Sequence, residues 1–173
     1  MTGSLEAPRK FDAARRRVVI VAARFNAEIV DQLVAGAQAA WAAHGGDPGH
    51  LLIERTPGAF ELPLAAKMFA ASGECEAVVA LGCVIRGDTP HFDYVAGECA
   101  RGLMDAGLAT GVPVIFGVLT TETRAQAEER ADAARMNKGR ESLEAALEMI
   151  ELLSPPARVS QQGSRVAKKG ARK

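Results

Sequence analysis

His91 is one of three histidines in the chain and stands in the run Arg86-Gly87-Asp88-Thr89-Pro90-His91-Phe92-Asp93-Tyr94. Imidazole is the side chain best placed to move protons near neutral pH. Just before it, Gly87-Asp88-Thr89 has the make-up of a loop whose backbone N–H groups form an anion nest ahead of a helix. No Walker motif and no GxGxxG supports that loop. Phe25 follows an apolar run; it reads either as a stacking surface for a planar heterocycle or as an apolar lid over a helix. Glu61 reads either as a first-turn carboxylate favoured by the helix dipole or as a ligand for substrate hydroxyls. Arg130 follows Glu128 and Glu129, so a surface ion pair competes with an anion-binding role. His44 and His50 flank a Gly/Pro turn and read as solvent-facing.

Composition narrows the classes these residues can serve. The chain has 173 residues, 48% of them apolar, which predicts one globular domain with a substantial core. Lys plus Arg and Asp plus Glu are both 21, so a strongly basic nucleic-acid binder is excluded as the default. No apolar run reaches membrane-spanning length, and Val18–Ala23 is too short for a signal-peptide core. Cys75, Cys83 and Cys99 form no CxxC and show no metal-ligand spacing, so no metal site is expected and a reducing cytoplasm fits. The zero net charge hides an asymmetry. Residues 1–17 carry net +3, residues 18–154 net −9, and residues 155–173 hold six basic residues and no acid. The first 17 residues read as an extension and 154–173 as a basic, disordered tail.

Between these ends, strands and helices alternate. Val18–Ala23 reads as a buried strand, and Asn26 as the cap of a helix from Ala27 to about His44, with Ile29, Leu33, Val34, Ala37 and Trp41 at helical spacing. Gly45 to Gly49 is a loop and Leu51–Arg55 a second strand, broken by Thr56-Pro57-Gly58. A helix follows over about Glu61–Ala71, with Pro63 in its first turn. Ala77–Leu81 is a third strand, Phe92 to about Ala106 a helix stopped by Gly107, and Val112–Leu119 a fourth strand. Thr123 and Gln126 have capping-box spacing for a helix to about Arg135; Asn137-Lys138-Gly139 interrupts it, and a last helix spans about Arg140–Leu153. Such alternation with continuous apolar strands predicts an α/β fold, its parallel sheet covered on both faces. Sites in such sheets lie beyond the carboxyl ends of the strands, which gathers Arg24-Phe25-Asn26, Thr56–Glu61, Gly82–His91 and Thr120–Thr123.

At these residues the chain resembles the 6,7-dimethyl-8-ribityllumazine synthase family of riboflavin biosynthesis. The resemblance is carried by Arg24-Phe25-Asn26, Gly58-Ala59-Phe60-Glu61-Leu62-Pro63, Ala80 through Tyr94, Gly117-Val118-Leu119-Thr120-Thr121, Gln126–Arg130 and Asn137-Lys138-Gly139, and it covers about Val18–Leu153. It implies a three-layer flavodoxin-like sandwich on a four-stranded parallel sheet, assembled as pentamers with sites between subunits. Some members stop at pentamers or pentamer pairs and others build icosahedral shells. The link Ala131–Met136 shows no insertion and lacks the glycines often found there, which predicts a stiffer helix at that point.

The implied reaction condenses 5-amino-6-(D-ribitylamino)uracil with 3,4-dihydroxy-2-butanone 4-phosphate, losing phosphate and water, with no metal or organic cofactor. Imine formation, phosphate elimination to an enol, tautomerisation and ring closure would follow in order. By resemblance, His91 is the proton-transfer residue and Phe25 stacks on the pyrimidine. Asn26 and Glu61, with backbone near Ala59 and Phe60, hold the ribityl chain and ring edge, while backbone near Val84 and Ile85 reads the uracil. Gly87, Asp88 and Thr89 bind the phosphate with Arg130, and Phe116, Arg130 and Lys138 come from the adjacent subunit. Two other readings compete: a flavin- or pyrimidine-binding protein on the same scaffold, and a shell-forming scaffold. Membrane partners are not expected.

Overall fold

In the computed structural model, which describes residues 9–154, strands β1 (Val18–Ala23), β2 (Leu51–Thr56), β3 (Ala77–Ile85) and β4 (Val114–Thr121) form one parallel sheet ordered β2-β1-β3-β4. Helices α1 (Ala27–Ala43), α2 (Leu62–Ala71), α3 (His91–Thr110), α4 (Arg124–Ala131) and α5 (Lys138–Leu153) connect and cover it. This is the expected α/β three-layer architecture.

Strand alternation builds two cores from one sheet. Val18, Ile20 and Ala22 of β1, with Val79, Leu81 and Cys83 of β3, face Ile29, Leu33 and Trp41 of α1 and Leu143 and Leu147 of α5. Val19, Val21 and Ala23, with Val78 and Ala80, face Leu62 and Ala66 of α2 and Cys99 and Leu103 of α3. Every residue of β1 is buried, and each Val or Ile so removed from water contributes about 1.5–3 kcal/mol. The edge strands behave differently: β2 and β4 are only partly covered, and Leu52 and Phe116 are exposed. Continuous cover over all the strands was expected; the edges lack it because a second strand neighbour and its helices are missing on one side.

Several boundaries differ from the sequence pattern for identifiable reasons. β3 continues to Ile85 and β4 to Thr121 because the two strands pair over their full exits, through Val84 with Thr120 and Ile85 with Thr121. α3 passes through Gly107 and stops at Gly111, which adopts the left-handed φ of 70° that a glycine cap favours. Gly107 lies against Val112 and Val114, which explains a small residue there without a break.

The end of α4 corrects a second expectation. The helix stops at Ala131, not near Arg135, and 133–136 form a turn. Asp132 causes this: its carboxylate accepts from the Ala134 N–H at 2.8 Å, and its carbonyl accepts from Arg135 and Asn137, each at 3.0 Å. The link is therefore a turn, not a stiffer helix. α5 begins at Lys138, two residues earlier than its periodicity suggests, because Asn137 takes a left-handed φ of 44° and its side chain accepts from the Arg140 N–H. Gly139 then lies in contact with α1: a Cβ at that position would stand 2.0 Å from the Leu33 carbonyl oxygen. Gly36 on α1 makes the matching room for the Asn137 side chain.

His50 is exposed as expected, but His44 is buried. Its Nδ1 accepts from the Phe11 N–H at 3.2 Å, and its Nε2 lies 3.1 Å from Glu144. Residues 9–17, whose Phe11 and Ala13 are buried against the domain, cover His44, while Gly45 and Asp47 to Gly49 of the turn stay exposed. The expected disorder of the basic tail falls on 155–173, outside the described residues.

Candidate active site

In the order β2-β1-β3-β4, connections leave β1 and β3 in opposite directions, so a crevice opens between their carboxyl ends. The predicted corner residues meet there. A cleft of about 690 Å³ is lined by Phe25 from the exit of β1, Pro57 to Glu61 from the exit of β2, Cys83 to Ile85, Gly87 and Thr89 from the exit of β3, and His91 from α3.

Backbone bonds hold this rim in shape. The Arg24 N–H donates to Thr56 O at 2.8 Å and the Phe25 N–H to Pro57 O at 3.2 Å, stitching the exits of β1 and β2 together. The Thr56 hydroxyl donates to Gly58 O at 3.0 Å and sets the turn that presents Ala59, Phe60 and Glu61 as a single helical turn. Phe25 is 70% exposed and Phe60 57% exposed. Phe25 is thus no buried lid; its ring stands open on the rim, where a flat heterocycle can lie against it.

Asn26 departs from its expected role as a cap. It sits at the start of α1 in the left-handed region with φ 57°, and its side chain caps nothing. The side-chain amide instead donates to the Cys83 carbonyl at 2.9 Å, tying the β1–α1 corner to β3. It does not line the cleft, and neither does Asp88. Cys83 is 2% exposed, and burial pushes its thiol up to about 11, only partly offset by Arg124, so it stays protonated near neutral pH. His91 is the first residue of α3 and exposed, and among the described residues no side chain hydrogen-bonds to it. α3 starts shortly after Gly87 and Thr89, and the positive dipole end of a helix is a setting that favours an anion.

Among the described residues, the lining of this cleft includes no Lys or Arg. Arg130, Lys138 and Phe116 gather elsewhere, in a cleft of about 390 Å³ along the outer edge of β4. There Arg130 donates to the Gln126 carbonyl at 2.9 Å and pairs with no carboxylate among the described residues; Glu128 pairs instead with Arg124. Lys138 pairs with Glu141. Sequence reasoning missed Phe92, Tyr94 and Val95, which also line the first cleft, and Glu141 and Ser142 in the second. Phe92 and Tyr94 stood in the motif already singled out, but their direction depends on the phase of α3, which begins at His91. Ser142 gave no signal.

A family model described as 6,7-dimethyl-8-ribityllumazine synthase matches residues 15–154. Two curated relatives, one from each of two strains of Thermus thermophilus and both named 6,7-dimethyl-8-ribityllumazine synthase, are 51% identical over 142 residues, which is 82% of this chain and 90% of theirs.

Proposed function

The chain belongs to the 6,7-dimethyl-8-ribityllumazine synthase family, and from that premise we propose how its residues divide the work. The reaction is the condensation of 5-amino-6-(D-ribitylamino)uracil with 3,4-dihydroxy-2-butanone 4-phosphate to the lumazine, a step of riboflavin biosynthesis. Phe25 stacks on the pyrimidine, Val84 and Ile85 offer backbone groups to the uracil edge, and Glu61, with backbone at Ala59 and Phe60, holds the ribityl hydroxyls. Asn26 serves the ring edge through its hold on Cys83. Gly87, Asp88 and Thr89 receive the phosphate at the start of α3, and His91 carries protons between the condensing amine, the ketone and the departing groups. Aligning two bound substrates supplies much of the acceleration, and proton transfer the rest.

One observation carries the assignment of the phosphate site. Among the described residues, the cleft with His91 has no Lys or Arg in its lining, while a second cleft on the same chain holds Arg130 and Lys138. A phosphate dianion leaving water is held more strongly by a full positive charge than by N–H dipoles alone. Arg130, Lys138 and Phe116 of one copy therefore complete the cleft of the next, in a pentamer. Exposed apolar residues on α2 and α3, among them Leu64, Met68, Met104 and Leu108, support self-assembly. No helix among the described residues is long and apolar enough to cross a membrane. The three free thiols support a reducing, cytoplasmic setting. Retention of both His91 and Arg130 favours turnover over a binding-only role.

The test is Arg130→Ala, followed by lumazine absorbance and fluorescence. Loss of a charge-assisted bond worth about 1.5–3 kcal/mol raises KM for the butanone phosphate roughly 10- to 150-fold and leaves KM for the pyrimidine within about twofold. Arg130→Lys keeps the charge, loses the fork, and is impaired as well. An unchanged constant for the butanone phosphate overturns the phosphate role.

A further inference from the structure

Arg86 leaves β3 immediately before the Gly87-Asp88-Thr89 loop, yet its guanidinium does not line the cleft. It is committed elsewhere on three sides. Nε lies 2.8 Å from the Glu122 carboxylate, beyond the exit of β4. The two terminal nitrogens face the Asp93 carboxylate at 3.1 and 3.4 Å, and the guanidinium carbon lies 4.1 Å from the centre of the Phe92 ring. Asp93 and Phe92 are the two residues that follow His91 in the first turn of α3. That turn has no side-chain cap of its own, since Pro90 occupies the cap position.

The Glu122 end of this contact is well anchored. The Arg86 N–H donates to Thr121 O at 2.9 Å, and the Glu122 N–H donates to the Gln126 side chain at 3.0 Å, beside the capping box of Thr123 and Gln126 at the start of α4. So a rigid corner stands on one side of the guanidinium and an uncapped turn on the other. From this we infer that Arg86 is a positioning residue: it sets the place and direction of His91 by gripping the two residues after it. An exposed single ion pair holds geometry poorly. A planar fork that meets one carboxylate with two nitrogens, another with a third, and an aromatic face with its plane fixes both distance and orientation. With both carboxylates taken, Arg86 also has no uncompensated charge for the phosphate, consistent with assigning that charge to Arg130.

This inference rests on the proposed role of His91, and a double-mutant cycle separates the two. Arg86→Gln in the full-length protein is expected to lower kcat about tenfold, with KM for both substrates within about twofold, because a misplaced general acid–base group loses rate and not binding. Asp93→Asn and Glu122→Gln, at exposed positions, are expected to lower kcat in the same way by smaller factors, and Arg86→Lys to fall between Gln and the native residue. In a His91→Ala background, Arg86→Gln is expected to cost less than about twofold more, since both changes remove one function. Equal factors in the two backgrounds overturn the positioning role and leave His91 standing. A raised KM for the butanone phosphate at unchanged kcat overturns it in favour of a phosphate ligand. If His91→Ala itself leaves kcat unchanged, the His91 reading and this inference fall together.

Discussion

His91 meets the cleft from the first turn of a helix, exposed and free of hydrogen bonds to other side chains among the described residues, a state suited to a group that must gain and lose protons. His91→Ala is expected to lower turnover by about ten- to a thousandfold, because general acid–base terms contribute about 10²–10⁴ and alignment of the substrates remains. Binding of a ribityl-pyrimidine analogue, followed by titration calorimetry, should hardly change; unaltered turnover would make His91 structural. The buried thiols give a second prediction at this scale. Burial raises Cys83 and Cys99 to about 11 from 9.0. Between those values the unfolded chain has lost protons that the folded chain keeps, so stability falls as pH rises through that window, by up to about 2 kcal/mol per thiol. Urea midpoints at pH 8 and 10.5 measure the loss, and Cys99→Ala should reduce it. Residue types and their place after the strands pointed to Phe25, Glu61, Gly87, Thr89 and His91, and the family resemblance added Val84 and Ile85; all of these line the cleft. Asn26 was half legible. Its place at a strand-to-helix corner was plain, but its left-handed backbone and its bond to Cys83 depend on β3 ending beside it, which no local pattern encodes.

Elements were legible where apolar spacing is strong, as in β1 and α1, and least legible where one polar side chain ends a helix. Asp132 stops α4 through an Asx turn, and the composition of that link, rich in alanine, argued the other way. The start of α5 was misread for a related reason: Gly139 looked like a break and is a point of contact. Gly139→Ala is the test. A methyl group 2.0 Å from the Leu33 carbonyl forces α1 and α5 apart, so the variant should lose roughly 1–3 kcal/mol in denaturant unfolding. It should also raise KM for the butanone phosphate, because Lys138 is the neighbouring residue at the start of α5. A variant as stable as the native protein would show that the two helices slide apart without cost.

At the scale of the whole molecule, a parallel sheet follows from alternation of strands and helices, while its order β2-β1-β3-β4 and the proposed division of the site between copies were legible only through resemblance to the family. Neither composition nor periodicity says that Arg130 and the His91 cleft of the same chain lie apart; that is a property of which edge of the sheet each element reaches. Mixing checks the proposed sharing. Arg130→Ala and His91→Ala subunits, each impaired alone at subsaturating butanone phosphate, should regain activity when co-assembled, because some interfaces then bring together both native groups. Mixed assemblies no more active than the separate variants, after proven co-assembly, would refute it. The absence of Lys and Arg from the lining of the His91 cleft among the described residues also bears on reaction order. Under the proposed sharing, a subunit that parts from its neighbours carries only half of each of two sites, so below the dissociation threshold the rate should fall more steeply than in proportion to protein concentration, and an excess of Arg130-bearing, His91-deficient copies should restore the rate per native chain.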